Sequence, residues 1–344
     1  MRLSPRKTHE IADWRDGSRD TRQMDRARPW PWLALALALL CPYALAAEPT
    51  VAERLGHPAD TKLLIIHADD IGMSRSVNAA SLEAARRGIV NSGSMMAPSP
   101  WFGAAARVAR ENPELDWGLH LTLTSEWRDY RWPSLSGAGP GHSLHDRLGF
   151  QHRDVRAVVK HASPEDVATE IQRQIDSARG HGVEPTHLDS HMGTLFASEA
   201  FFAAYVEAGR RNRLPILLPR EAMLAGRPDL TSVLEPGEAL VDRIFMADPS
   251  VAVDRWDAWY DDIIENLEPG VTQIVVHVGY DNAELQAITV DHPDFGSAWR
   301  QRDLDYFTSP RARELLRRND IVLVDWRTLG ELVYPDSAGI REAP

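Results

Sequence analysis

Short apolar runs alternate with amphipathic stretches along most of the chain. Buried strands are predicted at residues 62–67, 89–96, 117–124, 186–190, 214–218, 243–246, 271–277 and 321–324. Amphipathic helices are predicted between them, at residues 74–87, 101–111, 163–179, 198–211, 254–267 and 310–318. Strands that alternate with helices in this way favour a parallel sheet covered by helices. About seven or eight strands over about 280 residues predict an α/β fold of the TIM-like (β/α) barrel type, distorted or seven-stranded.

Two long segments fall outside this alternation, at residues 125–161 and 280–308. Long loops in compact α/β domains usually serve a function when they are ordered. Both segments directly follow a predicted strand that ends in polar residues. We therefore predict that both are substrate-binding loops.

The amino-terminal segment has the pattern of a secretory signal. An apolar run at residues 32–40 follows Arg26 and Arg28, and Ala-Leu-Ala at residues 44–46 supplies the small residues of a cleavage site. We predict a cleaved leader at residues 1–47 and export of the protein, either to the periplasm or into the medium. A retained membrane anchor is the alternative, although the apolar run is short for a bilayer span.

The mature chain, residues 48–344, is predicted to form one catalytic barrel domain. Met24 is an alternative start of translation, because it would give a basic leader of ordinary length. The only cysteine, Cys41, lies within the predicted leader. The mature domain therefore has no disulfide, and a domain of this size does not need one.

The net charge of the chain limits the classes of binding partner that it can have. The whole chain carries a net charge of −12, and the leader holds eight basic and five acidic residues, so the mature part carries −15. Such an acidic surface argues against nucleic acid or anionic lipid as a partner. We expect no stable membrane insertion after signal cleavage, and a homo-oligomer is left open. A neutral sugar is compatible with this charge.

Polar clusters end four of the predicted strands, where α/β folds assemble their ligand sites. The first cluster holds Asp69 and Asp70, which repel each other and are costly to bury. Neighbouring side chains on an extended backbone point in different directions, so one carboxylate can bind a metal while the other acts on its water. Gly72 allows the tight turn that this requires. The alternative is that Asp70 only caps the following helix, which explains one carboxylate and not both.

Histidines dominate the next two clusters. His120 lies between leucines, where a lone histidine is usually a satisfied core residue, but metals need several convergent ligands and the other clusters supply them. His187, Asp189 and His191 alternate along one strand, so they would face the same side. We predict that His187 and Asp189 support metal-bound histidines rather than bind the ion themselves. A buried polar network without a metal is the alternative.

The last cluster follows the most apolar strand and contains His277. We predict that His277 either binds the metal or protonates a leaving amine, because histidine titrates near neutrality. Arg220, just beyond another strand end, is predicted to orient Asp69 by a charge-assisted hydrogen bond, and a solvated arginine is the alternative. Three aromatic residues of the first long loop are predicted to stack on sugar rings or, alternatively, to pack the core: Trp127, Tyr130 and Trp132.

The four motifs in this order resemble the YdjC family, also called ChbG/HpnK-type carbohydrate deacetylases. The resemblance rests on His-Ala-Asp-Asp-Ile-Gly at 67–72, Gly-Leu-His-Leu-Thr-Leu-Thr at 118–124, Thr-His-Leu-Asp-Ser-His at 186–191 and His-Val-Gly-Tyr at 277–280. It covers about residues 62–333. It implies a polysaccharide-deacetylase-like (β/α)-barrel hydrolase that removes N-acetyl groups from sugars.

The resemblance also implies a role for each motif residue. The implied metal ligands are Asp70, His120 and His191. The implied catalytic base is Asp69, and the implied catalytic acid is His277. Two positions depart from the family pattern. Met-Gly-Thr stands at 192–194, where many members continue with histidines, and Val278 stands where proline is common. Both departures leave the implied ligands intact and bear on the substrate.

We therefore expect a hydrolase that deacetylates an N-acetylated carbohydrate with one divalent metal ion. Two histidines and one carboxylate do not decide between zinc, magnesium, manganese and cobalt. A non-haem iron oxygenase that uses His187, Asp189 and His277 is a rival, although the strand–helix alternation argues against the jelly roll of many oxygenases. A non-catalytic sugar-binding protein and a glycosidase are further rivals. Adjacent carboxylates seldom give the opposed pair that a glycosidase needs.

Overall fold

The computed structural model describes residues 48–137, 142–220, 230, 233–235 and 237–335. The predicted leader, the cleavage site and Met24 lie outside these residues. Within the described part of the chain, none of the helices is both long enough and apolar enough to cross a membrane.

A parallel sheet forms the centre of the fold. Its strands are β1 (Lys62–Ile71), β2 (Ser92–Met95), β3 (Trp117–Leu121), β4 (Leu188–Ser190), β5 (Arg243–Met246), β6 (Gly270–Val276) and β7 (Val322–Leu323). Six strands follow one another in the order β4-β3-β2-β1-β6-β5, and β7 pairs with the start of β1. All pairs are parallel. The predicted parallel α/β architecture is confirmed at this level.

The predicted TIM-like barrel is found only in part, because the described strands curl but do not close. The predicted strand at 214–218 contributes only single parallel bridges, from Ile216 to Leu188 and from Pro219 to Val241. Proline has no backbone N–H and interrupts a strand ladder, and this segment contains proline at both 215 and 219. The described strands therefore form a curled sheet, a half-barrel whose edge strands β4 and β5 are linked by isolated bridges.

The helices lie at Val51–Arg54, Arg75–Arg87, Phe102–Glu111, Val155–His161, Pro164–Gly180, Glu199–Asn212, Trp256–Glu265, Ala283–Ile288, Ser297–Phe307, Pro310–Arg318 and Trp326–Val333. Short 3₁₀ turns lie at His191–Phe196 and Val253–Arg255. Ser74, Ser163 and Ser198 each accept a first-turn N–H, as N-cap serines do. These caps fix three of the predicted helix starts.

The two segments predicted as loops are partly helical. Residues 125–161 end in the helix Val155–His161, and residues 280–308 contain the helices Ala283–Ile288 and Ser297–Phe307. The last of these buries one face, and that face includes the charged Arg300 and Asp303 beside Trp299 and Phe307. Because charged residues lie on the buried face, hydrophobicity does not follow the helical period, which explains why the sequence pattern did not reveal this helix.

Alternation along β1 separates two cores and positions the site. Leu64 and Ile66 pack with the helices on the outer face. Leu63 and Ile65 pack with Trp326 on the inner face. Because side chains of a strand alternate, the next two inner positions of β1 are His67 and Asp69. The inner face thus changes from apolar to polar toward the carboxyl ends of the strands.

Candidate active site

Asp69 and Asp70 both line one cavity at the carboxyl end of β1. Adjacent side chains of a regular strand would point to opposite faces. Asp70 avoids this because its backbone is left-handed, with φ of 64°. The following Gly72 has φ of 99°, and a Cβ there would lie only 3.0 Å from Ser99 Oγ, so this turn requires glycine. Strained backbone of this kind is common at functional sites.

Asp70, His120 and His191 form a group that we call the upper cluster. Their ligand atoms all lie within 4.8 Å of one another. Asp70 Oδ1 is 3.6 Å from His120 Nε2 and 3.4 Å from His191 Nδ1. The three side chains come from β1, β3 and the turn after β4, so the predicted convergence of three strand ends is what the structure contains.

A carboxylate lies behind each histidine of the upper cluster. His120 Nδ1 is hydrogen-bonded to Asp189 Oδ1 at 2.6 Å, and His191 Nε2 to Glu126 Oε2 at 3.2 Å. Each ring therefore turns its other nitrogen toward Asp70. Carboxylate–histidine pairs of this kind fix the tautomer and orientation of metal-binding imidazoles. Sequence reasoning anticipated Asp189 in this position and missed Glu126, which belongs to none of the four motifs.

The upper cluster fits a divalent cation. Asp70 Oδ1 is buried and makes no hydrogen bond among the described residues, which leaves a lone pair for an ion. Burial opposes a charged His191, but Glu126 and Asp70 outweigh it and raise the pKa of His191 to about 10. The pKa of His120 is also raised, because Asp69 and Asp189 outweigh its burial. The site therefore stabilises positive charge where a metal would lie, and its two nitrogens and one carboxylate suit several divalent metals.

Asp69 and His277 flank the upper cluster. Asp69 Oδ2 is 3.6 Å from His120 Nε2, and His277 Nε2 is 4.0 Å from both Asp69 Oδ2 and Asp70 Oδ2. Burial lowers the pKa of His277 to about 4, with a smaller effect of Arg300, although both carboxylates oppose this. His277 is therefore neutral near pH 7. Its backbone N–H donates to Asp303 Oδ2 at 2.9 Å, which fixes the end of β6.

The arginine that contacts the upper cluster is Arg300, and the prediction for Arg220 is wrong. Arg300 is buried and donates from Nη2 to Asp70 Oδ2 at 2.6 Å. The exposed Arg220 lies 3.5 Å from Asp242 instead of Asp69. Its backbone N–H donates to Val241, so the chain there follows the edge of β5 rather than the site.

Only one of the three predicted stacking residues lines the cavity. Trp127 does so, and the Arg300 guanidinium lies 5.9 Å from the centre of its ring. Trp132 is buried, with its indole N–H donating to Thr124 O at 3.0 Å, so it packs the core. Tyr130 donates its hydroxyl hydrogen to Met73 O at 2.8 Å and does not line this cavity. The stacking predictions for Tyr130 and Trp132 are therefore wrong.

His67, His187 and Asp189 form a second group, the lower cluster, whose ligand atoms also lie within 4.8 Å of one another. Its residues precede those of the upper cluster in the chain, with His67 before Asp70 and with His187 and Asp189 before His191. His187 is fully buried, its ring is stacked on Trp326, and its pKa is well below the usual value, chiefly through burial. The described residues do not group His187, Asp189 and His277 within this distance, which removes the basis of the iron oxygenase.

The cavity at the site has a volume of about 740 Å³. Its lining includes carboxylates and histidines of the upper cluster and an apolar part that includes Leu217, Ile244, Met246 and Val275. The volume is within the range of small-ligand sites, about 300–1,000 Å³. The fold and this site define an α/β half-barrel protein with a candidate metal centre at the carboxyl ends of its strands.

The chain belongs to the family of YdjC-like proteins, whose family model matches residues 63–318. A carbohydrate deacetylase of Thermoanaerobacter pseudethanolicus is 28% identical over 277 residues, which cover 78% of this chain and 99% of that protein. A carbohydrate deacetylase of Thermus thermophilus is 29% identical and covers 82% of this chain and 98% of its own length.

A solved structure supports the same relationship. It is described as a putative cellobiose-phosphate cleavage protein of Enterococcus faecalis, and it matches with a TM-score of 0.62 and 25% identity. The match covers 78% of this chain and 99% of that one. The chain therefore spans nearly the whole length of these similar proteins.

Proposed function

We propose that the protein is a metal-dependent carbohydrate deacetylase that hydrolyses an acetamido group of an N-acetylated sugar to an amine and acetate. The observation that carries this proposal is the upper cluster, with an unpaired Asp70 oxygen between two carboxylate-backed histidines in a cavity of ligand size. The names of the similar proteins support the same activity.

A divalent ion held by Asp70, His120 and His191 would polarise the acetyl carbonyl and lower the pKa of the attacking water. Arg300 holds one oxygen of Asp70 by its hydrogen bond and leaves the other oxygen unpaired. Asp189 and Glu126 hold the two imidazoles in place. Each of the three proposed ligands is therefore held by a hydrogen bond to a neighbouring side chain in the structure without an ion.

Asp69 is the general base in this proposal. It lies beside the upper cluster with its Oδ2 toward His120 and His277, and it takes a proton as water attacks the carbonyl carbon. The carbon–nitrogen bond then breaks, and the amine must take up a proton. Because His277 is neutral in the free site, the proton for the amine is the one that Asp69 has taken, passed on directly or through His277.

The cavity and the surface charge suit a neutral sugar. The cavity has the volume of a small-ligand site, and the buried Trp127 forms part of its wall. The chain is acidic overall, which disfavours polyanionic partners. The leader pattern adds export to the periplasm or beyond to this proposal, and the substrate would then be an N-acetylated glycan met outside the cytoplasm.

The test is acetate release by the purified mature protein from a panel of N-acetylated oligosaccharides. Each reaction is run as purified, with chelator, and with zinc, magnesium, manganese or cobalt added back. We expect release that the chelator abolishes and one metal restores. Sugar binding without release under any metal would favour a non-catalytic sugar-binding protein, and chelator-resistant release would contradict the metal dependence.

A further inference from the structure

His67 opens the first motif, but the proposed mechanism does not use it. The residue is fully buried on the inner face of β1, one step before Asp69. A buried histidine in contact with two carboxylates is unusual, because an imidazole in an apolar core normally stays neutral and packs. The contacts of His67 therefore call for an explanation.

The ring of His67 has a partner at each nitrogen. Nδ1 is hydrogen-bonded to Ser92 Oγ at 3.0 Å and Nε2 to Ser94 Oγ at 3.1 Å. In the β1–β2 ladder His67 pairs with Ser92, so two serines of one strand face receive the ring. The glycine between them is required, because a Cβ at Gly93 would lie 2.9 Å from Ala68 O. The orientation of the ring is thus fixed by β2.

Nε2 of this fixed ring faces two carboxylates. It lies 2.9 Å from Asp189 Oδ2 and 3.2 Å from Asp69 Oδ1. Both distances are those of close ion pairs. Burial opposes a charged ring, but Asp189 and Asp69 outweigh it and raise the pKa of His67 to about 10. The ring is therefore a cation between two carboxylates that would otherwise repel each other.

We propose that His67 is a positioning residue that holds the Asp69 carboxylate beside the upper cluster, anchored through Asp189 and the two serines of β2. This inference rests on the proposed function, in which Asp69 is the base. One oxygen of Asp69 faces His67, and the other is left toward His120 and His277. His67 is thus the cation that holds Oδ1, at 3.2 Å, and leaves Oδ2 on the side of the upper cluster.

The test compares His67→Gln, which keeps a polar N–H donor, with His67→Leu, which keeps only the bulk. The matched control is His152→Gln, a buried histidine whose ring contacts Ser143 O and His161 rather than Asp69. For each variant kcat and KM are measured with the best oligosaccharide of the panel, zinc affinity is measured by competition with a chelating dye, and folding by thermal unfolding.

We expect His67→Leu to lose about 10- to 100-fold in kcat, the range for residues that support an active-site group. KM and zinc affinity should stay close to wild type, and His67→Gln should fall between the two. Unchanged kcat in both variants would overturn the proposal. A fall in kcat matched by an equal fall in zinc affinity would also overturn it, because His67 would then act through Asp189 and His120. If His67→Leu does not fold, His67→Gln decides.

A second readout does not depend on turnover. Crystal structures of the wild type and of His67→Gln with zinc should differ in the Asp69 carboxylate, which we expect to rotate or to become disordered in the variant. An unmoved Asp69 would overturn the proposal. If the wild type releases no acetate from any sugar, the proposed function fails on that measurement alone, and the two crystal structures still decide the positioning role.

Discussion

The upper and lower clusters contain the same residue types, two histidines and one aspartate each, yet they differ in what they leave free. The upper cluster lines a cavity and holds a buried, unpaired Asp70 oxygen. In the lower cluster His67 and Asp189 use their polar atoms in contacts with Ser92, Ser94 and His120. His187 Nε2 makes no hydrogen bond among the described residues, but its ring is fully buried and does not line the cavity. The comparison teaches that a set of ligand-type residues marks a metal site only when lone pairs remain free and a cavity reaches them.

The largest effect should come from breaking the upper cluster. We expect His120→Asn to abolish zinc binding and to lower kcat/KM by more than about 100-fold, beyond the loss typical of a residue that only supports a ligand. The matched control is Asp291→Asn, an exposed carboxylate that lines the same cavity. Zinc titration and acetate release measure the two effects. A variant that keeps full activity at saturating zinc would show that the upper cluster is not the metal site.

A smaller effect should come from the carboxylate behind His191. Glu126→Gln keeps the shape of the side chain but removes the negative charge that faces His191 Nε2. We expect zinc affinity to fall about 10- to 100-fold, with much of kcat recovered at high zinc. Asp294→Asn, on the rim of the same cavity, is the control. Unchanged zinc affinity in Glu126→Gln would contradict the role assigned to this pair.

Within the lower cluster, His187 should matter for stability rather than for metal binding. In His187→Gln the ring stacked on Trp326 and the bond to Thr186 are lost from a fully buried position. We expect a loss of about 1–3 kcal/mol in the free energy of unfolding, measured by chemical denaturation. The zinc content should remain one ion per chain, as in the wild type. Two bound ions in the wild type and one in the variant would mean that the lower cluster is a metal site.

The sequence predicted the strands that carry the first and last motifs well, because these two motifs directly follow the short apolar runs at residues 63–66 and 274–276. Such a run favours a buried strand in a parallel sheet, and the motif after it then lies at the edge where sites form. The reasoning fails at the predicted strand 214–218, which makes only isolated bridges and leaves the barrel open. Proline at 215 and 219 is visible in the sequence and was the signal against a regular strand there.

The residues that hold the motifs in place could not be predicted in the same way. Arg300 reaches Asp70 across 230 residues of sequence, and no local pattern records such a pair. The buried face of its helix carries the charged Arg300 and Asp303, so the hydrophobic pattern resembles that of an irregular loop. Glu126 lies in an irregular segment with no period at all. Tertiary contacts bury Arg300 beside Asp70, and local periodicity does not reveal such contacts. For this reason the sequence points to Arg220 as the arginine of the site instead of Arg300.

The histidines in and beside the two clusters also differ in their pKa values. This difference predicts the smallest effect, which concerns the pH dependence of kcat/KM. Histidines within close reach of a carboxylate, such as His67 and His191, have raised pKa values of about 10. Burial dominates at His277, whose pKa is lowered from the usual 6.5 to about 4. His277 therefore carries no proton to lose as pH rises through 6.5, and kcat/KM should show no falling limb there.

This expectation is checked by measuring kcat/KM between about pH 5 and 8 at saturating zinc, for the wild type and for His277→Gln. Because a neutral histidine does not change charge over this range, the two profiles should have the same shape, with His277→Gln lower throughout. A limb that falls near pH 6.5 in the wild type and disappears in His277→Gln would mean that His277 holds a proton in the free enzyme. His277 would then be the acid that the sequence predicts, and the proton of the amine would not have to come from Asp69.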